Sequence, residues 1–345
     1  MKNRGTGMKI LSKREIMSEA QNNKRSCFDI IFEWEDVLAK ELEMDVLIRS
    51  NFEFAFDEKA RKIYQKTKVP VVKLFSLFDK RKGPMLMFDA STKRQNGIYN
   101  SSKYIPCLID YFLSDEEYYK FIRAYKNNPL VLVSNREVYE YLIQKECPIP
   151  IEHFPLSLAD CHWHEGRYEK KYDLVMFARQ NPLLVSYIDR YEKSHPDFKL
   201  VRRKYEGGHY IYYLSSTGEV VSCCDTREEY MQLVSQSKVA VYTTPGMDGT
   251  RADANGWNQV TPHFLEEIAG QCHIIARYPD NADTRWYKMG TICKSVDSYE
   301  EFEKQMDLYR DCDVDLDLYK AYLQEHYTSK RAELLREIKE KYYLS

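Results

Sequence analysis

The sequence predicts an α/β protein of two domains. Its 345 residues are enough for two hydrophobic cores of ordinary size. Short apolar runs alternate with amphipathic helical stretches, which is typical of parallel sheets covered by helices. One segment, residues 239–276, contains a strand, a loop, a helix and a second strand. Because such units place the loop at the carboxyl edge of a parallel sheet, this segment predicts a ligand-binding edge.

The segment begins with an apolar, β-branched run at residues 239–242, which is typical of a buried parallel strand. Thr261 and Pro262 predict a helix start, with the Thr261 hydroxyl as N-cap and the proline in the first turn. The helix ends at Gly270, and residues 273–276 form the second strand. The amino end of this helix is therefore expected to favour an anion at the sheet edge.

The run VTPHFLEEIAGQCHII, residues 260–275, resembles the donor-binding helix of nucleotide-sugar glycosyltransferases of the GT-B fold. In that family a glutamate of this helix holds the ribose hydroxyls of the nucleotide, and the resemblance gives this role to Glu266. His263 stands where the family usually has arginine, and Asn258 stands where the retaining branches carry an acid. The resemblance therefore implies the fold and leaves the stereochemistry of transfer open.

The GT-B resemblance implies two Rossmann-like domains with parallel sheets, a cleft between them and a C-terminal helix that crosses back. Residues 1–25 are polar and are expected to be poorly ordered. Residues 26–156 are predicted to form the acceptor-side domain, residues 157–170 the linker and residues 171–325 the donor-binding domain. Residues 326–345 are predicted to form the closing helix, which in this family packs on the first domain.

In the first domain, helical periodicity from Phe28 predicts an amphipathic helix with Glu33, Glu35 and Asp36 on its solvent side. Strands are predicted at residues 45–48, 69–74, 85–88, 104–109, 129–133 and 151–154. The strand at 104–109 contains Pro106, so it is expected near a sheet edge or beginning at the proline. Helices are predicted at residues 56–66, from a Ser114–Glu117 capping box to 125, and after Asn135.

In the second domain, strands are predicted at residues 172–178, 199–204 and 291–296, with a hairpin over 209–221. A helix is predicted to follow residues 179–182 and to continue to about residue 191. Further helices are predicted at residues 227–236 and from Ser298 to the end of the chain.

Two basic residues and two polar residues near the expected sheet edge are candidate donor ligands. Arg179 and Asn181 follow the first strand of the second domain, and a basic residue there commonly binds the donor phosphates in the GT-B family. From the sequence alone, an exposed turn is an equally good interpretation of Arg179. Thr244 and Arg251 lie in the loop TTPGMDGTRADANGWNQ, which contains neither a P-loop nor a G-x-G-x-x-G pattern. An ordinary surface loop is the alternative, and Thr261 with Glu266 completes the predicted donor set.

Transfer with inversion needs a base that deprotonates the acceptor hydroxyl. Asp110 follows a first-domain strand and is the candidate, with a structural aspartate as the alternative. The acids and arginines of RYPDNADTRW, residues 277–286, form either a self-paired charge cluster or part of a site.

The composition excludes several classes of protein. The net charge of −2 does not favour nucleic acid as a partner. Nine cysteines at scattered positions do not make a disulfide framework, so a reducing cytoplasm is expected. No signal peptide or membrane span is evident, although peripheral association with a membrane stays open. CHWHE, residues 161–165, lacks the ligand spacing of a zinc site, and no Asp-x-Asp pair ends an apolar strand, so metal-independent chemistry is expected.

The GT-B resemblance, together with these observations, implies a metal-independent glycosyltransferase in surface polysaccharide or glycoconjugate synthesis. It would move a sugar from a nucleoside diphosphate donor, its co-substrate, to a hydroxyl of a glycan or lipid-linked acceptor, without another cofactor. The alternatives are a nucleotide-sugar epimerase of the same fold and a non-catalytic nucleotide-sugar-binding scaffold subunit, because fold alone does not decide function.

Overall fold

The computed structural model describes residues 7–14, 29–67, 69, 83–90, 99–177 and 180–344. These residues divide into two compact units. Within the described ranges, the first unit comprises residues 7–14, 31–156 and 328–344, and the second comprises residues 29–30 and 157–327. Residues 70–74 of the strand predicted at 69–74 and the candidate ligand Arg179 lie outside the described residues.

The first unit is built on a parallel sheet. Its described strands are β1 (Lys9–Ser12), β2 (Val46–Ile48), β3 (Met85–Asp89), β4 (Tyr104–Leu108), β5 (Val131–Val133) and β6 (Ile151–His153), in the order β2-β1-β3-β4-β5-β6. All neighbouring strands run parallel. The order reverses between β1 and β3, and the carboxyl ends of strands at such a reversal are where open α/β sheets bind ligands.

The described helices in the first half of the chain are α1 (Asp29–Glu41), α2 (Asn51–Thr67), α3 (Tyr118–Tyr125) and α4 (Arg136–Gln144). A short 3-10 turn at Asp115–Glu117 precedes α3, and the predicted Ser114–Glu117 capping box is present there. The side chain of Asn135 caps α4 by accepting from the Val138 N–H at 3.2 Å. These helix starts agree with the sequence signals because each capping bond is local in the chain.

The structure corrects two expectations for the first unit. Residues 9–12 belong to the segment expected to be poorly ordered, yet they form β1 between β2 and β3, with Ile10 fully buried. Pro106 lies inside β4, opposite Met87, and β4 has a neighbour on both sides. The pairing of β4 with β5 begins at Cys107, so Pro106, which has no N–H donor, has a strand partner on β3 alone.

Glu35 of α1 is buried, which corrects the expectation that it faces solvent. Its side chain is 2% exposed, and the Ser12 hydroxyl donates to it at 2.5 Å. The Arg14 guanidinium lies 3.6 Å away. Burial raises the pKa of Glu35 to about 7 although both partners oppose the shift. The neighbouring Asp36 is exposed, as expected.

Glu35 should make the stability of the protein depend on pH. Because its folded pKa is raised above the ordinary 4.5, its contribution is present below pH 4.5 and is lost as the pH rises towards 7. Glu35→Gln should remove on the order of 2–3 kcal/mol of this pH dependence. Thermal unfolding at pH 5 and pH 7.5 checks this, with Glu41→Gln on the exposed end of the same helix as control. Identical pH dependence in Glu35→Gln and the unsubstituted protein would contradict the assignment.

The second unit contains a mixed sheet. Its strands are β7 (Tyr172–Val175), β8 (Leu200–Glu206), β9 (His209–Leu214), β10 (Val220–Ser222), β11 (Ser237–Thr243) and β12 (His273–Arg277), in the order β10-β9-β8-β7-β11-β12. The strands β8, β7, β11 and β12 are parallel, and β9 and β10 are antiparallel, as the predicted hairpin requires. The predicted strand at residues 291–296 is wrong, because only an isolated bridge joins Ser295 to Ala276.

The helices of the second unit pack around this sheet. They are α5 (Pro182–Ser194), α6 (Arg227–Ser235), α7 (Pro262–Ala269), α8 (Ala282–Trp286), α9 (Tyr299–Asp311) and α10 (Leu316–Gln324). Phe264, Leu265 and Ile268 of α7 are fully buried in a cluster that also contains residues of α10. This agrees with the apolar face predicted for the helix.

Lysines satisfy the helix ends at the amino edge of the second sheet. Lys170 Nζ donates to the carbonyl of Ser235, the last residue of α6, at 3.0 Å and to that of Gly270, which follows α7, at 2.7 Å. Lys238 Nζ donates to the Arg310 carbonyl in the last turn of α9 at 2.7 Å. A cation at a helix C-terminus also complements the helix dipole. These lysines therefore have a structural role.

The last helix, α11 (Thr328–Lys341), belongs to the first unit. Arg331 is 4% exposed and donates to the carbonyls of Pro155 at 3.1 Å and Leu156 at 3.4 Å. Lys341 pairs with Glu152 of β6 at 2.5 Å. Within the described ranges, none of the helices has the length and apolar character that crossing a membrane requires.

Candidate functional site

The strand order of the second sheet reverses at β7, which lies between β8 and β11. The loops after β7, β11 and β12 lead to the amino ends of α5, α7 and α8. Because the strands are parallel, these three loops leave the sheet at the same edge. This edge contains the candidate site predicted from residues 239–276.

Asn181 links the first two of these loops. Its Oδ1 caps α5 by accepting from the N–H groups of Leu183 at 2.9 Å and Leu184 at 3.2 Å. Its Nδ2 donates to Asp248 Oδ2 at 2.9 Å and to Thr243 Oγ1 at 3.4 Å. The side chain is therefore a buried connector, and the sequence prediction of a donor ligand at Asn181 stays a prediction.

Arg277, at the end of β12, brings the third loop into the same cluster. Its guanidinium donates through Nε and Nη2 to the two carboxyl oxygens of Asp248. Nη1 donates to the Val296 carbonyl at 3.0 Å and to Asp297 at 2.5 Å. The hydrogen bond from Arg277 is the main cause that lowers the pKa of Asp248, so this carboxyl is ionised. We call Asn181, Asp248 and Arg277 the anion corner.

Sequence reasoning missed Asp248 and left Arg277 undecided within a charge cluster. The structure separates that cluster, because Arg285 pairs with Asp280 at 3.0 Å and Asp283 is buried, accepting from the Val260 N–H at 2.5 Å. The usable signal for Arg277 is its position at the carboxyl end of a buried strand. The signal for Asp248 is an acid between glycines in the loop after β11.

The loop after β11 folds back tightly on itself. The Thr244 hydroxyl donates to Asn258 Oδ1 at 2.6 Å, and both residues are buried. A Cβ atom on Gly246 would lie 2.2 Å from the Trp257 carbonyl oxygen, so only glycine fits at this close approach. Thr244 therefore holds the base of the loop, and any contact with a donor is a proposal.

Arg251 is paired with a neighbouring acid. Its Nε donates to Asp253 Oδ1 at 2.9 Å, and its side chain is 19% exposed. A phosphate at Arg251 would therefore compete with Asp253. The donor role of Arg251 stays a prediction. The same holds for Arg179, which lies outside the described residues.

Thr261 precedes α7, but its hydroxyl makes no capping bond, which corrects the predicted N-cap geometry. The backbone N–H of Thr261 donates to the Tyr242 hydroxyl at 2.8 Å, and the two hydroxyls lie 3.3 Å apart. Tyr242 is at the end of β11, so this contact ties the start of α7 to the sheet. The Thr261 hydroxyl thus contacts a buried side chain of β11 instead of the first N–H groups of α7.

Glu266 of α7 is buried and doubly paired. Arg227 Nη1 donates to Oε1 at 2.5 Å, and His263 Nδ1 lies 2.7 Å from Oε2. Burial alone would raise the pKa of Glu266, but Arg227 and His263 hold it well below the usual range. His263 also contacts the Tyr230 hydroxyl at 3.0 Å. The carboxylate keeps further lone pairs, so acceptance from ribose hydroxyls is compatible with these bonds.

Glu267 is buried as completely as Glu266 but has no such partners. It is 1% exposed, and neither carboxyl oxygen has a hydrogen-bond partner. Burial, reinforced by the charge of Glu266, raises the pKa of Glu267 well above its ordinary value. Both acids of this helix are therefore buried.

Glu267→Met should stabilise the protein at neutral pH. Keeping Glu267 protonated in the folded state costs about 1.4 kcal/mol for each pH unit between its unfolded and folded pKa. Because the folded pKa is raised, this cost grows as the pH rises above 4.5. The gain in melting temperature should therefore be larger at pH 7.5 than at pH 5.

Glu266→Gln is the matched control for that substitution. It removes the anion facing Arg227 and His263, so it should lower the melting temperature at pH 7.5. Differential scanning calorimetry measures both variants. A loss of stability in Glu267→Met at both pH values would contradict a neutral, unpaired Glu267.

Asp110 lies at the carboxyl edge of the first sheet, two residues after β4. Its backbone is in the left-handed region, with φ of 51°. An aspartate tolerates this conformation better than most residues, and such backbone geometry is common at functional sites. Asp110 is half-buried and has interactions of its own. Its role as a base stays a prediction.

A cavity of about 500 Å³ opens beyond β12, between Tyr278 and Ser295. Exposed lysines at 288 and 294 line it together with the paired Arg285 and Asp280.

In the part of the chain that the structure describes, no three cysteine, histidine or acidic side chains are grouped as metal ligands.

No family model and no curated protein sequence matches this sequence. Solved structures do resemble it. A putative UDP-N-acetylglucosamine 2-epimerase from Listeria monocytogenes is 9% identical, with a TM-score of 0.52, covering 98% of this chain and 97% of that one. A second UDP-N-acetylglucosamine 2-epimerase is 12% identical, with a TM-score of 0.50, covering 99% of this chain and 97% of that one.

A pneumococcal O-GlcNAc transferase, solved with UDP and GlcNAc, is 13% identical with a TM-score of 0.47. The match covers 80% of this chain and 60% of the transferase, so this chain spans less than two thirds of it. At these identities, the two epimerase structures establish the fold alone. They confirm the predicted fold class, the two-domain α/β architecture of the GT-B type.

Proposed function

We propose that this protein is an enzyme that acts on a nucleoside diphosphate sugar and transfers the sugar to a hydroxyl of a glycan or lipid-linked acceptor. The observation that carries the proposal is the carboxyl edge of the second sheet. There Arg277, the amino end of α5 and a buried glutamate of α7 lie on neighbouring connections. We further propose a cytoplasmic protein of surface polysaccharide or glycoconjugate synthesis, with peripheral membrane contact.

The diphosphate and the ribose of the donor each have a partner of suitable chemistry at this edge. A guanidinium and helix N–H groups stabilise the negative charge of a leaving diphosphate. The carboxylate of Glu266 can accept from two vicinal ribose hydroxyls, since it is ionised and accepts one bond on each oxygen. Asp110 is the proposed acceptor base.

Epimerisation of the donor sugar is the second candidate function. The structures that share this fold over 98% and 99% of the chain are named as UDP-N-acetylglucosamine 2-epimerases. An epimerase would exchange the hydrogen on the second carbon of the sugar with solvent, whereas a transferase would release the nucleoside diphosphate.

A ligand screen followed by product analysis tests the proposal. Stabilisation should appear with one of UDP, GDP, dTDP and CMP, because a ligand that binds only the folded state raises its stability. The matching labelled nucleotide sugar should then be hydrolysed slowly without acceptor. Deuterium uptake at the second carbon would instead favour the epimerase, and binding with neither reaction would favour a scaffold. Absence of any stabilisation would contradict all three.

Turnover is expected to persist in EDTA. The predicted charge stabilisers are side chains and helix ends, which need no divalent cation. The release of nucleoside diphosphate should be measured with EDTA and with added Mg²⁺ or Mn²⁺. Loss of activity in the chelator that either metal restores would count against this chemistry.

Glu266→Gln is expected to weaken binding of the ribonucleotide while barely affecting its 2′,3′-dideoxy analogue. Loss of a charge-assisted hydrogen bond corresponds to about 1.5–3 kcal/mol. Isothermal titration with both ligands measures the difference, and Glu267→Gln is the matched control on the adjacent residue. Equal weakening of both ligands by Glu266→Gln would show a structural effect on α7 and would remove the ribose assignment.

A further inference from the structure

The anion corner already contains an anion, the carboxylate of Asp248. Arg277 contacts both of its oxygens, through Nε on Oδ2 and Nη2 on Oδ1, the latter at 3.3 Å. Asn181 Nδ2 donates to Oδ2 at 2.9 Å. This two-pronged arrangement is the one in which a guanidinium binds a carboxylate or a phosphate equally well. Asp248 therefore takes up the donors that a phosphate at this edge would use.

The two sides of this contact differ in how firmly they are held. Arg277 is at the end of β12, is 14% exposed on its side chain and is also bound by the Val296 carbonyl and Asp297. Asn181 is 2% exposed and holds the start of α5. Asp248 lies on an exposed turn, Met247–Gly249, in the loop after β11. The donors thus belong to the sheet and to the start of α5, whereas the carboxylate lies on the more exposed loop.

We propose that Asp248 is an internal competitor that occupies the phosphate position when no ligand is bound and is displaced by a diphosphate. The inference rests on the proposed function for the identity of the ligand, a nucleoside diphosphate. A diphosphate has more negative charge than a monophosphate, so it competes more strongly with the Asp248 carboxylate for Arg277. A nucleoside without phosphate leaves the Asp248–Arg277 pair in place. The corner therefore selects ligands by the charge of their phosphate chain.

The test compares Asp248→Asn with Asp280→Asn, which removes the same charge from an exposed acid in the loop after β12. Asp248→Asn frees the guanidinium of Arg277, so binding of pyrophosphate and of UDP should tighten about tenfold while uridine binding stays unchanged. The preference for UDP over UMP should shrink. Asp280→Asn should change each constant less than about twofold. Arg277→Met should weaken pyrophosphate and UDP and leave uridine unchanged.

Isothermal titration with these four ligands separates the possible results. Weaker or unchanged pyrophosphate binding in Asp248→Asn overturns the inference, because Asp248 would then position Arg277 or have no influence on it. Tighter pyrophosphate binding without any binding of UDP or another nucleotide supports the competitor and contradicts the nucleotide-sugar function. Asp248→Ala is the second variant, should the asparagine retain the loop contact, and its melting temperature confirms that it is folded.

Discussion

The direction of the parallel strands determines the electrostatics of the second unit. Every helix that follows a parallel strand starts at the carboxyl edge of the sheet and ends at the amino edge. Partial positive charge of the helix ends therefore collects at one edge and partial negative charge at the other. The chain places lysines 170 and 238 at the amino edge, where they bind helix carbonyls, and the carboxylate of Asp248 at the carboxyl edge.

The pKa values of two adjacent glutamates of α7 are shifted in opposite directions. The two side chains are equally buried, and only their interaction partners differ. Burial disfavours the charge of both. Glu266 has a guanidinium at 2.5 Å and an imidazole at 2.7 Å, and these compensate its desolvation. Glu267 has no comparable contact and lies beside the charge of Glu266, so it is held neutral. An ionised acid at this position of α7 therefore depends on Arg227, a residue of another helix.

This dependence also explains how the helix departs from the family pattern it resembles. His263 stands where the family usually has arginine, one turn before Glu266. In the structure a guanidinium still faces Glu266, but it comes from the start of α6, and its plane lies near the Tyr230 ring, 5.8 Å from the centroid. Arg227 of α6 thus supplies the positive charge that the family usually carries at the position of His263 on α7. Residues 227, 230 and 263 form one contact group that no local motif contains.

The sequence by itself determined the elements whose signals are local. The strand at 239–242, the helix from Pro262 to Gly270 and the capping residues Ser114 and Asn135 all follow from periodicity and from bonds between residues three or four positions apart. With the family resemblance, these elements were sufficient to predict the fold class. Strand β1 escaped because four residues within a polar segment have too little periodicity to be recognised.

Only the tertiary structure decided which charges meet. The contacts between Arg277 and Asp248, between Arg227 and Glu266, and between Ser12 and Glu35 join residues 23 to 39 positions apart in the chain. Strand order and helix packing determine which of these residues meet, and the periodicity of apolar residues along the chain does not contain that information. The same reason explains why Glu35 appeared solvent-facing and Pro106 appeared to mark an edge. Burial depends on what packs against an element, and that is a property of the fold and not of the segment.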